Sequence, residues 1–159
     1  MSIHALQEYL DNHQVEYVTM SHSRAYTAQR IAAAAHIPGK EMAKSVMLKA
    51  DGALMMAVLG APDKVSLDKV KKVLGTEDVH MALEEEFGPK FPDCELGAMP
   101  PFGNLYDMQV LVDKKLIGHE HIVFNACSHR ELIRMSYESY AKLVKPKVVD
   151  IRYSRGVKK

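Results

Sequence analysis

Lys44-Ser45-Val46-Met47-Leu48-Lys49-Ala50-Asp51-Gly52-Ala53-Leu54-Met55-Met56-Ala57-Val58-Leu59-Gly60 decides the fold of this chain. Two apolar runs flank Asp51-Gly52, and a two-residue Asp-Gly link between apolar runs is a strong antiparallel hairpin signal. Side chains alternate across a strand, so Lys44, Val46, Leu48 and Ala50 share one face and Ser45, Met47 and Lys49 the other. Working outward, Ile3, Leu6 and Leu10 recur at helical spacing after Ser2, which predicts a helix over 3–13. Val15 to Met20 reads as a short strand. Thr27 caps a predicted helix through Ala35, ended by Pro38-Gly39. On the other side, Ser66 caps a helix with Leu67, Val70, Val73 and Leu74 inward, and Gly75 stops it. Val79–Ala82 follows as a strand and Leu83–Phe87 as a short acidic helix. Gln109–Asp113 and His121–Ala126 read as strands. Tyr137–Val144 reads as a helix ended by Pro146, and Val148–Tyr153 as a last strand. Short strands and helices that interleave irregularly, with hairpins, predict α+β with a mixed or largely antiparallel sheet, not a doubly wound one. The glycine patterns of Rossmann and P-loop sites are absent, so neither the motifs nor the composition call for a cofactor.

With 159 residues, 47% hydrophobic and 26% charged, the chain is expected to be one soluble globular domain spanning 1–159. No apolar run reaches the length of a membrane span, and the N-terminus has neither the basic nor the apolar region of a secretory signal. Two cysteines, Cys94 and Cys127, read as free thiols of a reducing compartment, so the expected location is cytoplasmic. The formal charge of +1 hides an asymmetry. Residues 142–159 hold seven basic residues and one acid, a net +6, while the other 141 residues hold fourteen basic and nineteen acidic, a net −5. A basic segment on a mildly acidic body suits a polyanion.

Gly97-Ala98-Met99-Pro100-Pro101-Phe102-Gly103 is the second informative stretch. Two glycines and two prolines exclude helix and strand interior, yet the segment is apolar. A stiff, apolar loop either packs inward or forms the wall of a ligand site with backbone N–H groups facing the ligand. Lys44 is the other odd feature, since it begins the more apolar face of its strand. It either reaches out to water along its methylene stem or is aimed into a pocket, where an ammonium holds a phosphate or a carbonyl oxygen.

Together these stretches resemble the YbaK/prolyl-tRNA synthetase editing-domain family of trans-acting aminoacyl-tRNA deacylases. The likeness rests on Ala43-Lys44-Ser45 and on Gly97-Ala98-Met99-Pro100-Pro101 as a GxxxP signature. Val110-Leu111-Val112-Asp113 and then Ile122-Val123-Phe124-Asn125-Ala126 follow in the family's order, over about residues 15–145. The resemblance implies a compact α+β domain with a central, mixed, barrel-like sheet flanked by helices. It implies hydrolysis of the ester joining a wrong amino acid to the 3′-terminal adenosine of tRNA, with a small amino acid on tRNA of the proline type as the expected substrate. Two departures bear on specificity: Cys127 stands where relatives with the Phe-Asn-Ala strand often have Gly, and Asn125 where some alanine-specific relatives have His.

Lys44, Gly97, Ala98, Met99 and Pro101 are accordingly the expected reacting centre. Pro100, Phe102, Gly103, Asn125, Ala126, Cys127, Ser128 and His129 are the expected substrate contacts, with Ala98 and Ala126 favouring a small side chain. An aminoacyl ester is already activated and needs only a positioned water and oxyanion donors, which the N–H groups of Ala98, Met99 and Gly103 can supply. No side chain stands out as a general base, so a ribose hydroxyl of the substrate is the expected assistant. The expected partners are mischarged tRNA, through its terminal adenosine and acceptor stem, and an aminoacyl-tRNA synthetase; no membrane is expected. The alternatives are a non-catalytic tRNA- or nucleotide-binding module of the same fold, a metal hydrolase using His119-x-His121, and a cysteine hydrolase using Cys127 with His129.

Overall fold

In the computed structural model, residues 3–21 and 41–153 are described. The helix expected from Thr27 to Ala35, with its Pro38-Gly39 stop, lies outside them. Helix α1 (Ile3–Asn12) buries Leu6 and Leu10 on its inward face. Strand β1 (Tyr17–Ser21) follows. Strands β2 (Ala43–Ala50) and β3 (Ala53–Gly60) form the predicted hairpin in register from Ala43 opposite Gly60 to Ala50 opposite Ala53. Asp51 and Gly52 take φ of +50° and +82°, the two left-handed positions that a tight hairpin of this twist needs.

Helix α2 (Leu67–Leu74) is capped as its sequence predicts. Ser66 Oγ accepts from Lys69 N at 3.3 Å, and Gly75 at φ +70° returns its N–H to Lys71 O at 2.8 Å. Strand β4 (Val79–Met81) pairs with β2. The short helix α3 (Glu84–Phe87) is opened by Glu86, whose carboxylate accepts from Leu83 N at 2.8 Å. Strands β5 (Gln109–Asp113), β6 (His121–Ser128) and β7 (Glu131–Ser136), helix α4 (Tyr137–Val144) and strand β8 (Lys147–Val149) complete the described elements.

The strands form two sheets. One has five strands in the order β4-β2-β3-β5-β8, with β3·β5 and β5·β8 parallel; the other has three in the order β1-β7-β6, all antiparallel. The α+β class and the mixed pairing follow the expectation. Closure does not: among the described residues the sheets are joined by one parallel bridge, Met42 with Val123, and are not closed into a barrel. Strand β7, the middle strand of the small sheet, is absent from the sequence reading. Its Glu131-Leu132-Ile133-Arg134-Met135-Ser136 follows β6 after a tight turn with no Asn-Gly or Asp-Gly signal. The main core gathers Leu6 and Leu10 of α1, Met56 and Val58 of β3, Ile122 and Phe124 of β6, and Phe102 and Tyr140. A second cluster, with Leu48, Ala57 and Leu59, packs the opposite face of the large sheet under Val70 of α2. No described helix is long and apolar enough to cross a membrane.

Candidate active site

The Gly97–Gly103 loop turns inward. Ala98, Met99, Pro100, Pro101, Phe102 and Gly103 are buried, and Gly97 is exposed at φ +83°. Met99 and Phe102 belong to the main core, where the Phe102 ring meets Phe124 and Tyr140 edge-on at 5.5 and 5.4 Å between centroids. Gly103 is required by packing, since a Cβ there would lie 2.8 Å from Val110 Cγ2. From Ala98 to Gly103 the loop is thus packed into the protein, and Gly97 is its exposed end. Ala98 N is already used, donating to Glu95 O at 3.0 Å, which removes it from the expected oxyanion donors. The N–H groups of Gly97, Met99 and Gly103 donate to no described backbone carbonyl.

Three contacts pin this loop to the end of β6. Cys127 N donates to Ala98 O at 2.9 Å, Glu95 N donates to Cys127 O at 3.0 Å, and Cys94 is disulfide-bonded to Cys127, with Cα atoms 4.2 Å apart. The expected free thiols are thus corrected: the two strands of backbone that hydrogen-bond here also bring the sulfurs together across 33 residues. The cysteine-based argument for a reducing compartment falls with that expectation. So does the cysteine-hydrolase alternative, because the Cys127 sulfur is not a thiol. Cys127 has φ +70°, a conformation that favours glycine, which accounts for the glycine that the resemblance puts at this position.

His129 is no surface residue. It is 5% exposed, its Nε2 is 2.8 Å from Leu96 O, and its N–H donates to Glu95 Oε1 at 2.7 Å. Its ring lies against Gly97, where an added Cβ would come 3.4 Å from Cε1. His129 braces the loop from behind. Ser128 braces the β6–β7 turn, its Oγ accepting from Arg130 N at 3.0 Å. Ala126 was expected to line a pocket; its side chain is instead fully buried in the core beside Ile122 and Phe124, because alternation along β6 sends 122, 124 and 126 inward. Asn125 takes the other face, 7% exposed.

Lys44 stands on β2, half-buried, on the face it shares with Val46 and Leu48. Burial pushes its ammonium below the usual lysine range, Asp63 opposing and Lys64 adding to the shift. Met42 and Val123 form an isolated parallel bridge, and Lys44 and Asn125 each lie two residues beyond it, on the strand faces that Met42 and Val123 take. Of the expected residues, then, the structure gathers Gly97, Ala98, Cys127 and His129 at one junction, and places Lys44 and Asn125 each two residues beyond the Met42–Val123 bridge. A groove of about 930 Å³ beside α1, β1 and β7 contains none of them. His119 and His121 flank the start of β6, and among the described residues no group of three or more His, Cys, Asp or Glu is placed to hold a metal ion.

Tyr140 is the contributor that sequence reasoning missed. Its hydroxyl donates to Pro101 O at 2.6 Å in the core, and burial raises its pKa well above the usual tyrosine value. In the sequence it reads only as one of two tyrosines on the inward face of a helix. Tyr140→Phe is expected to cost about 1–2 kcal/mol, because it strands a buried carbonyl without its donor. Denaturant unfolding of the variant checks this; an unchanged midpoint would mean that the bond does not hold the loop.

The comparisons agree with this frame. The chain is 27% identical over 100 residues to a proline–tRNA ligase of Bacillus mycoides (strain KBAB4), covering 63% of this chain and 17% of that protein. The proline–tRNA ligase of Bacillus cereus (strain AH187) matches over the same shares. The chain thus spans about a sixth of the length of these relatives. Among solved structures it is similar to a proposed trans-editing enzyme for prolyl tRNA synthetase, with a TM-score of 0.81, 19% identity and coverage of 96% of this chain and 97% of that one. It is also similar to the hypothetical protein APE2540, with a TM-score of 0.83, 15% identity and coverage of 93% and 99%. At these identities the structures speak for the fold. The aminoacyl-tRNA editing domain profile matches residues 22–143, which take in the Lys44 strand, the Gly97–Gly103 loop and β6. By that match the chain belongs to the aminoacyl-tRNA editing domain family.

Proposed function

We propose that this protein edits aminoacyl-tRNA in trans, hydrolysing the ester between a wrong amino acid and the 3′-terminal adenosine of a tRNA of the proline type. Lys44 carries the reading. A lysine held half-buried at the start of an apolar strand face, its charge disfavoured by desolvation, is accounted for by an electron-rich ligand that compensates it. The synthetase relatives support the choice of tRNA.

In this reading Lys44 holds the ester carbonyl oxygen or the terminal phosphate, and the N–H groups of Gly97 and Met99 face the same substrate end. Water adds to the carbonyl carbon, negative charge gathers on its oxygen, and the C–O bond to the ribose breaks as the 3′-oxygen takes a proton. The activated ester needs donors for the oxyanion more than a strong base, and the neighbouring ribose hydroxyl assists the water. The basic segment 142–159 meets acceptor-stem phosphates, which makes affinity salt-dependent. The work is cytoplasmic, where tRNA is charged, and a synthetase is the natural source of the substrate.

The test is release of amino acid from alanine-, cysteine- and serine-charged tRNA of the proline type by the wild-type protein. Release of one or more above the spontaneous rate is expected. A folded protein that binds these tRNAs and releases nothing would leave a tRNA-binding module instead.

A further inference from the structure

The Asn125 side chain has a property the reaction above does not use. It is 93% buried, being 7% exposed, and its Oδ1 has no hydrogen-bond partner among the described residues. A buried amide oxygen without a donor is costly, and a donor on a bound ligand removes that cost. Asn125 and Lys44 also each lie two residues beyond the isolated parallel bridge between Met42 and Val123. The two groups have opposite demands: the ammonium only donates, and the amide oxygen only accepts. Phosphates and ester carbonyls satisfy the first and cannot satisfy the second. An aminoacyl-tRNA ester offers two such donors near the carbonyl, the free ribose hydroxyl, which the reaction above gives to the water, and the α-amino group, which lies one carbon from the carbonyl and donates whether protonated or neutral.

We propose that Asn125 Oδ1 accepts a hydrogen bond from the substrate's α-amino group while Lys44 holds the electron-rich end, so that a free α-amino group is a requirement of the site. The inference rests on the deacylase reading. It makes the substrate class aminoacyl esters with an unblocked amine and excludes N-acylated and peptidyl esters.

The experiment compares alanyl-tRNA of the proline type with the same tRNA after N-acetylation, using wild type, Asn125→Asp and Asn125→Leu. Wild type is expected to prefer the free amine in kcat/KM by about 10- to 100-fold, the worth of a hydrogen bond to a charged group. Asn125→Leu should lose that preference, and Asn125→Asp, which keeps an acceptor of the same shape, should retain it. Competition by 3′-alanylamino-adenosine against its N-acetyl form gives a second reading that needs no turnover. Equal use of both esters by wild type overturns the inference and leaves the deacylase reading standing. An equal loss on both esters in Asn125→Leu also overturns it, since that is what a bracing residue would show. Turnover of neither ester by folded wild type overturns the deacylase reading and the inference with it.

Discussion

Lys44→Ala is expected to lower kcat/KM for deacylation by about 100- to 1,000-fold, the usual effect of removing one principal oxyanion donor, while leaving the unfolding midpoint close to that of wild type. The two halves of this expectation have one cause. Lys44 is half-buried, and desolvation disfavours its charge. In the free protein the ammonium is a cost rather than a support, so deleting it does not weaken the fold. In the proposed reaction the same desolvation would strengthen its attraction for a developing oxyanion, because less water screens it. Lys44→Arg is not expected to rescue, since a planar guanidinium on a longer stem does not put its charge where the ammonium sits.

The pH dependence has a definite sign. The Lys44 pKa is lowered, so the charged form is present below that shifted value and lost as pH rises through it, at a pH below the usual lysine range. Hydroxide attack on the ester speeds up with pH in any variant. The telling quantity is therefore the ratio of wild-type to Lys44→Ala rates, which should shrink as pH rises. Deacylation assays across neutral and alkaline pH, with circular dichroism as the check on folding, decide it. A variant within a few-fold of wild type at every pH would remove Lys44 from the reaction.

How much of this could be read in advance depends on whether a signal is local. The β2–β3 hairpin, α2 with its Ser66 and Gly75 caps, and β5 were legible because turn and cap residues act on their own neighbours. Lys44 was legible as a charge out of phase with its strand. Strand β7 was not, because its tight turn carries no Gly-containing dipeptide and its pairing with β1 spans more than a hundred residues. The sheets' failure to close was equally hidden: closure depends on strand tilt and stagger, which no single strand encodes. In the site, the inward packing of Met99, Phe102 and Ala126 and the grip of Tyr140 on Pro101 O arise from contacts between distant segments. The disulfide belongs to the same class, since spacing alone cannot say which backbone segments will lie side by side.

Asp113→Ala is expected to be the opposite of Lys44→Ala: a loss of stability of about 3–5 kcal/mol with kcat/KM per folded molecule unchanged. Asp113 ends β5 and is 1% exposed. Its Oδ1 accepts from Ile151 N at 3.0 Å and Arg152 N at 3.1 Å, and its Oδ2 accepts from Lys115 N at 3.1 Å. Arg152 Nε stands 3.6 Å from Oδ2 as an ion-pair partner. One carboxylate thus ties the last described segment to β5 and opens the turn toward β6. Alanine removes the acceptor of three backbone donors and strands the Arg152 charge, which is why the cost exceeds that of one ordinary hydrogen bond. For a chain of this length the loss corresponds to a fall in Tm of roughly 10 °C or more. Asp113→Asn keeps one oxygen but turns an NH2 group toward donors, so an intermediate loss is expected. Thermal and denaturant unfolding measure the stability, and deacylation well below Tm measures the activity. A midpoint near wild type for Asp113→Ala would show that water replaces the carboxylate at little cost. A catalytic loss at a temperature where the variant is fully folded would tie the β5 end to the reacting groups, and the separation between scaffold and site drawn from Lys44 and Asp113 would fail.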